Sequence, residues 1–320
     1  MKIVRSVIVI AAVSMIASCS KPDNSTPNPM PTYTTYASMY KVYDMLRVQP
    51  TYNTINATTG GSFYGASGTR YVFDPACFMD VAGVTVTGNV QIAVAEYLKK
   101  GDMIFSKMLP VSSGEPLISG GEVSVMATQS GREIYLKPGY YYQAIVPQGG
   151  TPMSGMQFFA GNTVQDTTIN KVNWNNKFDS TSHGGLGMVI YKGDSLDIFS
   201  DSLHMANADQ FLASPDYQDF TLTISVTGAV LGSNQVLAFA LYDNYRGVWP
   251  LGMIGSYSGG VFSERHVPKI PVHFAAFALI NNRFYGGVLG ATPVSGTNYN
   301  LNMTEVEPTA FKGQLNNLLH

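Results

Sequence analysis

Charge is scarce in this sequence. Only 12% of its residues are Asp, Glu, Lys or Arg, and 19 basic residues stand against 21 acidic ones. No basic stripe runs along the chain, so the counter-ion release that drives binding to a phosphate backbone is missing, which argues against nucleic acid as a partner. Cysteine is scarcer still, with Cys19 and Cys77 alone in 320 residues. Two thiols build neither a disulfide framework nor a paired Cys-x-x-Cys metal site. Signatures of catalysis are missing as well. Gly255-Ser256-Tyr257-Ser258-Gly259 has the residues of a hydrolase nucleophile turn in the wrong spacing, and there is no phosphate loop or His-Glu-x-x-His helix. The histidines His183, His204, His266, His273 and His320 are scattered, and a regular strand would place His266 and His273 on opposite faces. No catalytic residue, metal ligand or cofactor is therefore assigned, and the chain is expected not to be an enzyme.

No apolar run reaches the roughly 20 residues of a permanent membrane-spanning helix. The stretch Val7 to Ala17 is too short, follows Lys2 and Arg5, and ends in Ala17-Ser18-Cys19. This pattern resembles a bacterial lipoprotein signal, in which the cysteine thiol receives diacylglycerol, cleavage frees its amine and a further acyl chain such as palmitate caps it. The resemblance implies that residues 1–18 are removed and that Cys19 holds the chain to a membrane. Ser20 follows the cysteine where an Asp would retain such a protein at the inner membrane, so outer-membrane delivery is expected, in either leaflet. Cys77 then has no partner within the chain. Its neighbours Phe73, Ala76, Phe78 and Met79 favour burial over pairing between molecules.

What the sequence has in abundance is glycine, 32 residues, and tyrosine, 19. Together with Thr and Val these suit short strands joined by tight turns. Residues 19–35 are rich in Pro, Ser, Thr and Asn and read as a solvated tether. Tyr36 to Val48 has apolar residues at helical steps, although an edge strand fits nearly as well. Strand patterns follow at Val84 to Thr87, Val90 to Val94, Leu117 to Gly121, Glu122 to Met126, Glu133 to Leu136 and Tyr140 to Val146. Gly88-Asn89 and Gln129 to Arg132 are turns between them. Later candidates are Leu186 to Tyr191, Phe220 to Val226, Val236 to Tyr242, Val272 to Ile280 and Arg283 to Leu289. Asn281-Asn282 joins the last two as a hairpin. Thr309 to Leu319 is patterned as a short C-terminal helix. The expected fold is all-β: an antiparallel β-sandwich domain over 36–160, a connecting segment over 161–215 and a second antiparallel β-sandwich domain over 216–320.

The run Phe73-Asp74-Pro75-Ala76-Cys77-Phe78-Met79-Asp80, then Gly83, Val86 to Val90 and Glu96-Tyr97, resembles a module of Bacteroidota lipoproteins. Asp102-Met103-Ile104, Leu117, Ser119 to Gly121 and Gly131 to Gly139 continue the resemblance in order. Further on, Met156 to Gly161, Val172-Asn173-Trp174 and Asn207 to Phe211 match its connecting elements, with Met205 where the family usually has tryptophan. The module is similar to the ZU5 domain. What the resemblance implies is architecture and place; the family is largely uncharacterised and carries no catalytic residues over.

Several smaller features point outward. Asp194, Asp197 and Asp201 form an acidic cluster without the alternate ligands and glycine of a calcium loop, and are expected to be solvated. Tyr140, Tyr141 and Tyr142 with Trp174 and Trp249 would make an aromatic platform for sugar rings if exposed, but packing is the commoner use. Asp precedes Thr167, Ser180, Ser195 and Ser202, each followed by a small or apolar residue. This resembles the protein O-glycosylation signal of Bacteroidota. The reading is a non-catalytic, lipid-anchored envelope protein whose partners are the membrane and other envelope proteins or glycans. A glycan-binding lipoprotein of a nutrient-capture system and a carboxylate-dependent hydrolase are the alternatives.

Overall fold

The computed structural model describes residues 34–164, 169–176, 187–212, 216–231, 236–252 and 256–318. Helix α1 (Met39–Leu46) leads into β1 (Thr51–Asn56), β2 (Gly61–Tyr64), β3 (Arg70–Phe73), β4 (Phe78–Met79) and β5 (Asn89–Tyr97). Helix α2 (Lys100–Ser106) precedes β6 (Val111–Ser112), β7 (Glu115–Gln129), β8 (Arg132–Leu136), β9 (Tyr142–Pro147), β10 (Gln157–Thr163) and β11 (Val172–Asn175). Then come β12 (Gly187–Lys192), β13 (Ser195–Ser200), β14 (Met205–Phe211), β15 (Tyr217–Val226), β16 (Val236–Tyr242) and β17 (Val248–Pro250). The last elements are β18 (Ser256–Ser258), β19 (Val261–Pro268), β20 (Val272–Ile280), β21 (Arg283–Ala291), β22 (Asn298–Glu305) and α3 (Pro308–Asn316).

The first two sheets form a sandwich. A nine-stranded sheet has the main order β1-β5-β7-β14-β10-β11, and a five-stranded sheet runs β12-β13-β9-β3-β2. Alternation along β5 turns Val90, Ile92 and Val94 inward, all buried, while Gln91 stays exposed on the other side. The sheets approach closely where glycine permits it: a Cβ on Gly121 would lie 2.7 Å from Val146, and one on Gly120 would lie 2.3 Å from Leu196. Between them Phe73 stacks on Phe78 and Tyr142, with ring centroids 5.5 and 5.8 Å away. Glu96 also faces inward, and its carboxylate accepts the Ser67 and Thr69 N–H groups at 2.6 and 3.1 Å. It thereby ties β5 to the turn between β2 and β3. Cys77 is free and buried in this core, its thiol pushed up to about 12 chiefly by desolvation.

The third sheet has eight strands in the order β17-β16-β20-β21-β22-β15-β19-β18. It curls over itself, bringing Phe220 of β15 within 5.1 Å of Phe274 of β20. Its β15–β22 contact is parallel, a departure from the all-antiparallel expectation. The helices pack on one side of this sheet around Phe277, whose ring meets Tyr43, Phe105, Phe239, Phe284 and Phe311 at 5.3 to 6.4 Å. The two halves also meet where β7 begins. Ser119 N–H donates to the Arg246 carbonyl at 2.9 Å, and the Arg246 guanidinium donates to the Gly120 carbonyl at 2.8 Å.

Three expectations need correction. The segment 161–215 is not a connection: it supplies the last three residues of β10 and all of β11 to β14, with β14 hydrogen-bonded between β7 and β10. Buried side chains from both halves form one continuous core, so residue 160 is no boundary. Val84 to Thr87 makes only an isolated bridge rather than a strand: the Asp80 carboxylate accepts the Ala82 and Val84 N–H groups at 2.9 Å and turns the chain, so that just Thr85 bridges Met79 and the Val86 N–H reaches the Phe78 carbonyl at 3.0 Å.

Candidate binding face on the nine-stranded sheet

The side of the nine-stranded sheet turned away from the sandwich interior is partly open. Register fixes which residues share it. Ala95, Ser124, Met205 and Gly161 lie in one cross-strand row, and Tyr52, Ala93 and Met126 lie in another. Gln91 and Thr128 make a third. Small residues at 93 and 95 keep the middle of this face low, so larger neighbours stand around a trough. Two hollows open on it, of about 760 and 330 Å³. Both are lined by Tyr97, Ser124, Met126 and Lys171, so they form one continuous depression. The larger reaches Asn162, Ser202 and His204; the smaller reaches Arg47, Tyr52 and Gln91. Among the described residues, no carboxylate lines either hollow. Lys107 and Lys171 also border a third, smaller recess with Arg47, where Asp44 pairs with Arg47 at 3.1 Å.

One wall of the trough hides an unusual row. Tyr97, Glu122, Asn207 and Phe159 are paired across β5, β7, β14 and β10, and all four are buried. Asn207 donates to Asp209 Oδ2 at 2.6 Å and accepts from the Ser119 hydroxyl at 3.0 Å. Neither Glu122 oxygen nor Asp209 Oδ1 has a hydrogen-bond partner among the described residues. Burial, and then the neighbouring Asp209, hold the Glu122 carboxyl well above the usual range; burial does the same for Asp209. The Tyr97 phenol is pushed up to about 12 by burial, then by Glu122, with Arg47 opposing. Both acids are buried, closed-off core groups. The open face itself offers hydroxyls, amides, basic groups and apolar side chains such as Met126 and Met205, a set able to contact a ligand.

The residues singled out from sequence lie mostly elsewhere. Cys19, Thr167 and Ser180 fall outside the described residues. Ser195 starts β13 half-buried, its hydroxyl donating to the Lys192 carbonyl at 2.9 Å. Ser202, also half-buried, borders the trough, and its N–H donates to the Ser200 hydroxyl at 3.3 Å. Trp174 and Trp249 do not form a platform. Trp174 is fully buried with its indole N–H donating to the Leu109 carbonyl at 3.1 Å, and Trp249 is 3% exposed. Gly161 has no side chain beside Trp174; a Cβ there would lie 2.9 Å from the ring. Tyr142 is likewise interior. Asp197 is not solvated: it is buried in β13 and accepts from the Gln143 amide at 2.8 Å. His273 pairs with Asp243 at 2.6 Å. The trough residues Arg47, Tyr52, Tyr97, Met126, Lys171 and His204 were not assigned a site from sequence. The one available signal was the outward alternation of Gln91, Ala93, Ala95 and Tyr97, which marks a face with a low centre.

No protein-family model matches this chain, and no curated protein matches it either. Similar solved structures include two of a pilus-presented adhesin. They are 9% and 8% identical, cover 82% of this chain and 96% and 95% of their own, and give TM-scores of 0.19 and 0.16. At such scores the likeness carries no argument about what this chain does.

Proposed function

We propose that this protein is a non-catalytic, lipid-anchored binding component of the bacterial outer membrane, with its ligand seated on the open face of the nine-stranded sheet. The observation that carries the binding reading is the joined trough, whose lining of hydroxyls, amides, apolar side chains and basic groups is suited to holding a ligand. The signal ending in Cys19 and the proline-rich tether support the placement, since a tether without core-forming residues keeps a folded body clear of headgroups. The resemblance to ZU5-like modules of Bacteroidota lipoproteins supports the same place. Thr167, Ser180, Ser195 and Ser202 remain the proposed glycan acceptors, to be checked by intact mass.

Two measurements test this. Cells fed labelled palmitate should label the protein, and Cys19→Ala should abolish the label and release the protein from membranes. Unlabelled wild-type protein removes the envelope placement. Crosslinking in detergent-solubilised membranes should give a specific adduct that Met126→Glu loses while retaining its fold. An adduct that survives this change moves the contact away from the trough.

A further inference from the structure

We propose that Glu122 and Asp209 hold a calcium ion, enclosed where β7 and β14 meet the turn that carries Arg246. Both carboxylates are fully buried, and Asn207 and Ser119 are buried beside them. Glu122 stands opposite Asn207 in the ladder. The register shifts between Ala208 and Asp209, and Asp209 comes within reach of the Asn207 amide. Glu122 feels the charge of Asp209 directly, so the two acids share one enclosure. Both Glu122 oxygens and Asp209 Oδ1 are without a hydrogen-bond partner among the described residues. The groups around them are already committed. Asn207 gives its amide to Asp209 Oδ2 at 2.6 Å and receives the Ser119 hydroxyl at 3.0 Å. The Arg246 guanidinium donates to the Gly120 carbonyl at 2.8 Å. Three acceptor oxygens thus lie in one closed place with no donor to answer them.

Burying a carboxylate without a counter-charge is strongly unfavourable. One proton shared between the acids would answer two of the three oxygens and leave a net negative charge buried. A divalent cation answers all three and balances both charges. The donor set then selects the ion. Among the described residues no His, Cys or further acid joins the pair, so every available ligand is an oxygen. Hard oxygen donors favour calcium, magnesium or manganese over zinc or copper. Magnesium keeps several of its waters, which a closed site between packed strands does not suit; calcium accepts carboxylates and carbonyls in their place. The register shift at Asp209 helps, because such an irregularity leaves backbone groups outside the ladder. Ser119, which holds Asn207, also donates its N–H to the Arg246 carbonyl at 2.9 Å. The ion would therefore rivet the nine-stranded sheet where the second half of the chain meets it. None of this uses the trough.

Because the site is closed, the ion enters as the chain folds, and the test begins from unfolded protein. The purified full chain is refolded from urea in calcium or in EDTA, then melted. Elemental analysis of the calcium-refolded protein should find about one calcium per chain after gel filtration. At about 1 mM calcium the melting temperature should lie about 5 °C above that in EDTA, and magnesium should give less than half of that shift. Glu122→Gln and Asp209→Asn keep the shapes of the side chains and remove one charge each. Both should lose the calcium dependence and melt above the calcium-free wild type. Asp216→Asn, at the exposed pair with Lys269, should keep the full shift. Identical melting of the wild type in calcium and EDTA overturns the proposal, as does a calcium shift that survives both Glu122→Gln and Asp209→Asn. An equal shift with magnesium overturns the choice of ion. Should either variant fail to fold, the calcium content and the shift of the wild type decide.

Discussion

Glu264 lies buried in β19, with Oε1 accepting the Gly252 N–H at 2.5 Å and Oε2 without a partner. Burial pushes this carboxyl up to about 7, against the Gly252 contact. Below about pH 4 the group is protonated in both folded and unfolded chains, and the folded state loses nothing by burying it. As pH rises the unfolded chain ionises first, so stability is lost progressively until the folded group ionises near 7, by about 3 kcal/mol at most. Glu264→Gln should therefore match wild type at pH 4 and exceed it at pH 8 in urea denaturation. Parallel stability profiles for the two proteins would show that this carboxyl is not the source. Single residues were unevenly legible in the sequence. The apolar neighbours of Cys77 correctly place it in the core. Trp174 and Asp197 do not announce their burial, because each depends on a partner distant in sequence, Leu109 for one and Gln143 for the other.

At the scale of elements, local chemistry made many pieces readable. Asn281 and Asn282 both take positive φ, at 50° and 64°, the geometry of a tight hairpin between β20 and β21. Ser130 and Gly131 do the same between β7 and β8, with φ of 50° and 77°. Helix α2 was missed because its seven residues include Gly101, a poor helix former. The packing explains that glycine. A Cβ at 101 would lie 2.8 Å from the Lys312 carbonyl and 2.6 Å from the Asn316 side chain. The same contact holds Lys312 against Asp102 at 2.7 Å and lets Asn316 accept the Asp102 N–H at 3.1 Å. Gly101→Ala should thus push α3 off α2 and destabilise the protein by about 1–3 kcal/mol, despite alanine's better helix propensity. A stabilised variant in thermal melting would mean that α3 yields freely. The trough, by contrast, was illegible, since a sheet face is assembled by register among strands far apart in the chain.

For the whole molecule, the lesson concerns boundaries. A polar, glycine-rich stretch near 161–168 reads as a break, yet β14 returns from beyond it to lie between β7 and β10. Composition records local solvation; it does not record which strand comes back to complete a sheet. The two halves also share the aromatic cluster around Phe277, to which α1, α2 and α3 each contribute a ring. Phe277→Ala should cost about 3–5 kcal/mol. Calorimetry of the wild type should show one cooperative transition, because the core has no seam along which half could melt alone. Two resolved transitions, with Phe277→Ala affecting just one, would establish independent folding of the halves.

Glu307, at the start of α3, accepts the Thr34 N–H and the Tyr36 hydroxyl, both at 2.9 Å. Tyr36 N–H also donates to the Asn282 carbonyl at 2.7 Å, beside the hairpin tip. The chain entering at Thr34 is therefore clasped at one corner by the last helix and a distant turn. Were the chain held to a membrane through Cys19, as proposed, a pull on it would meet this clasp before it reached the edge of the sandwich.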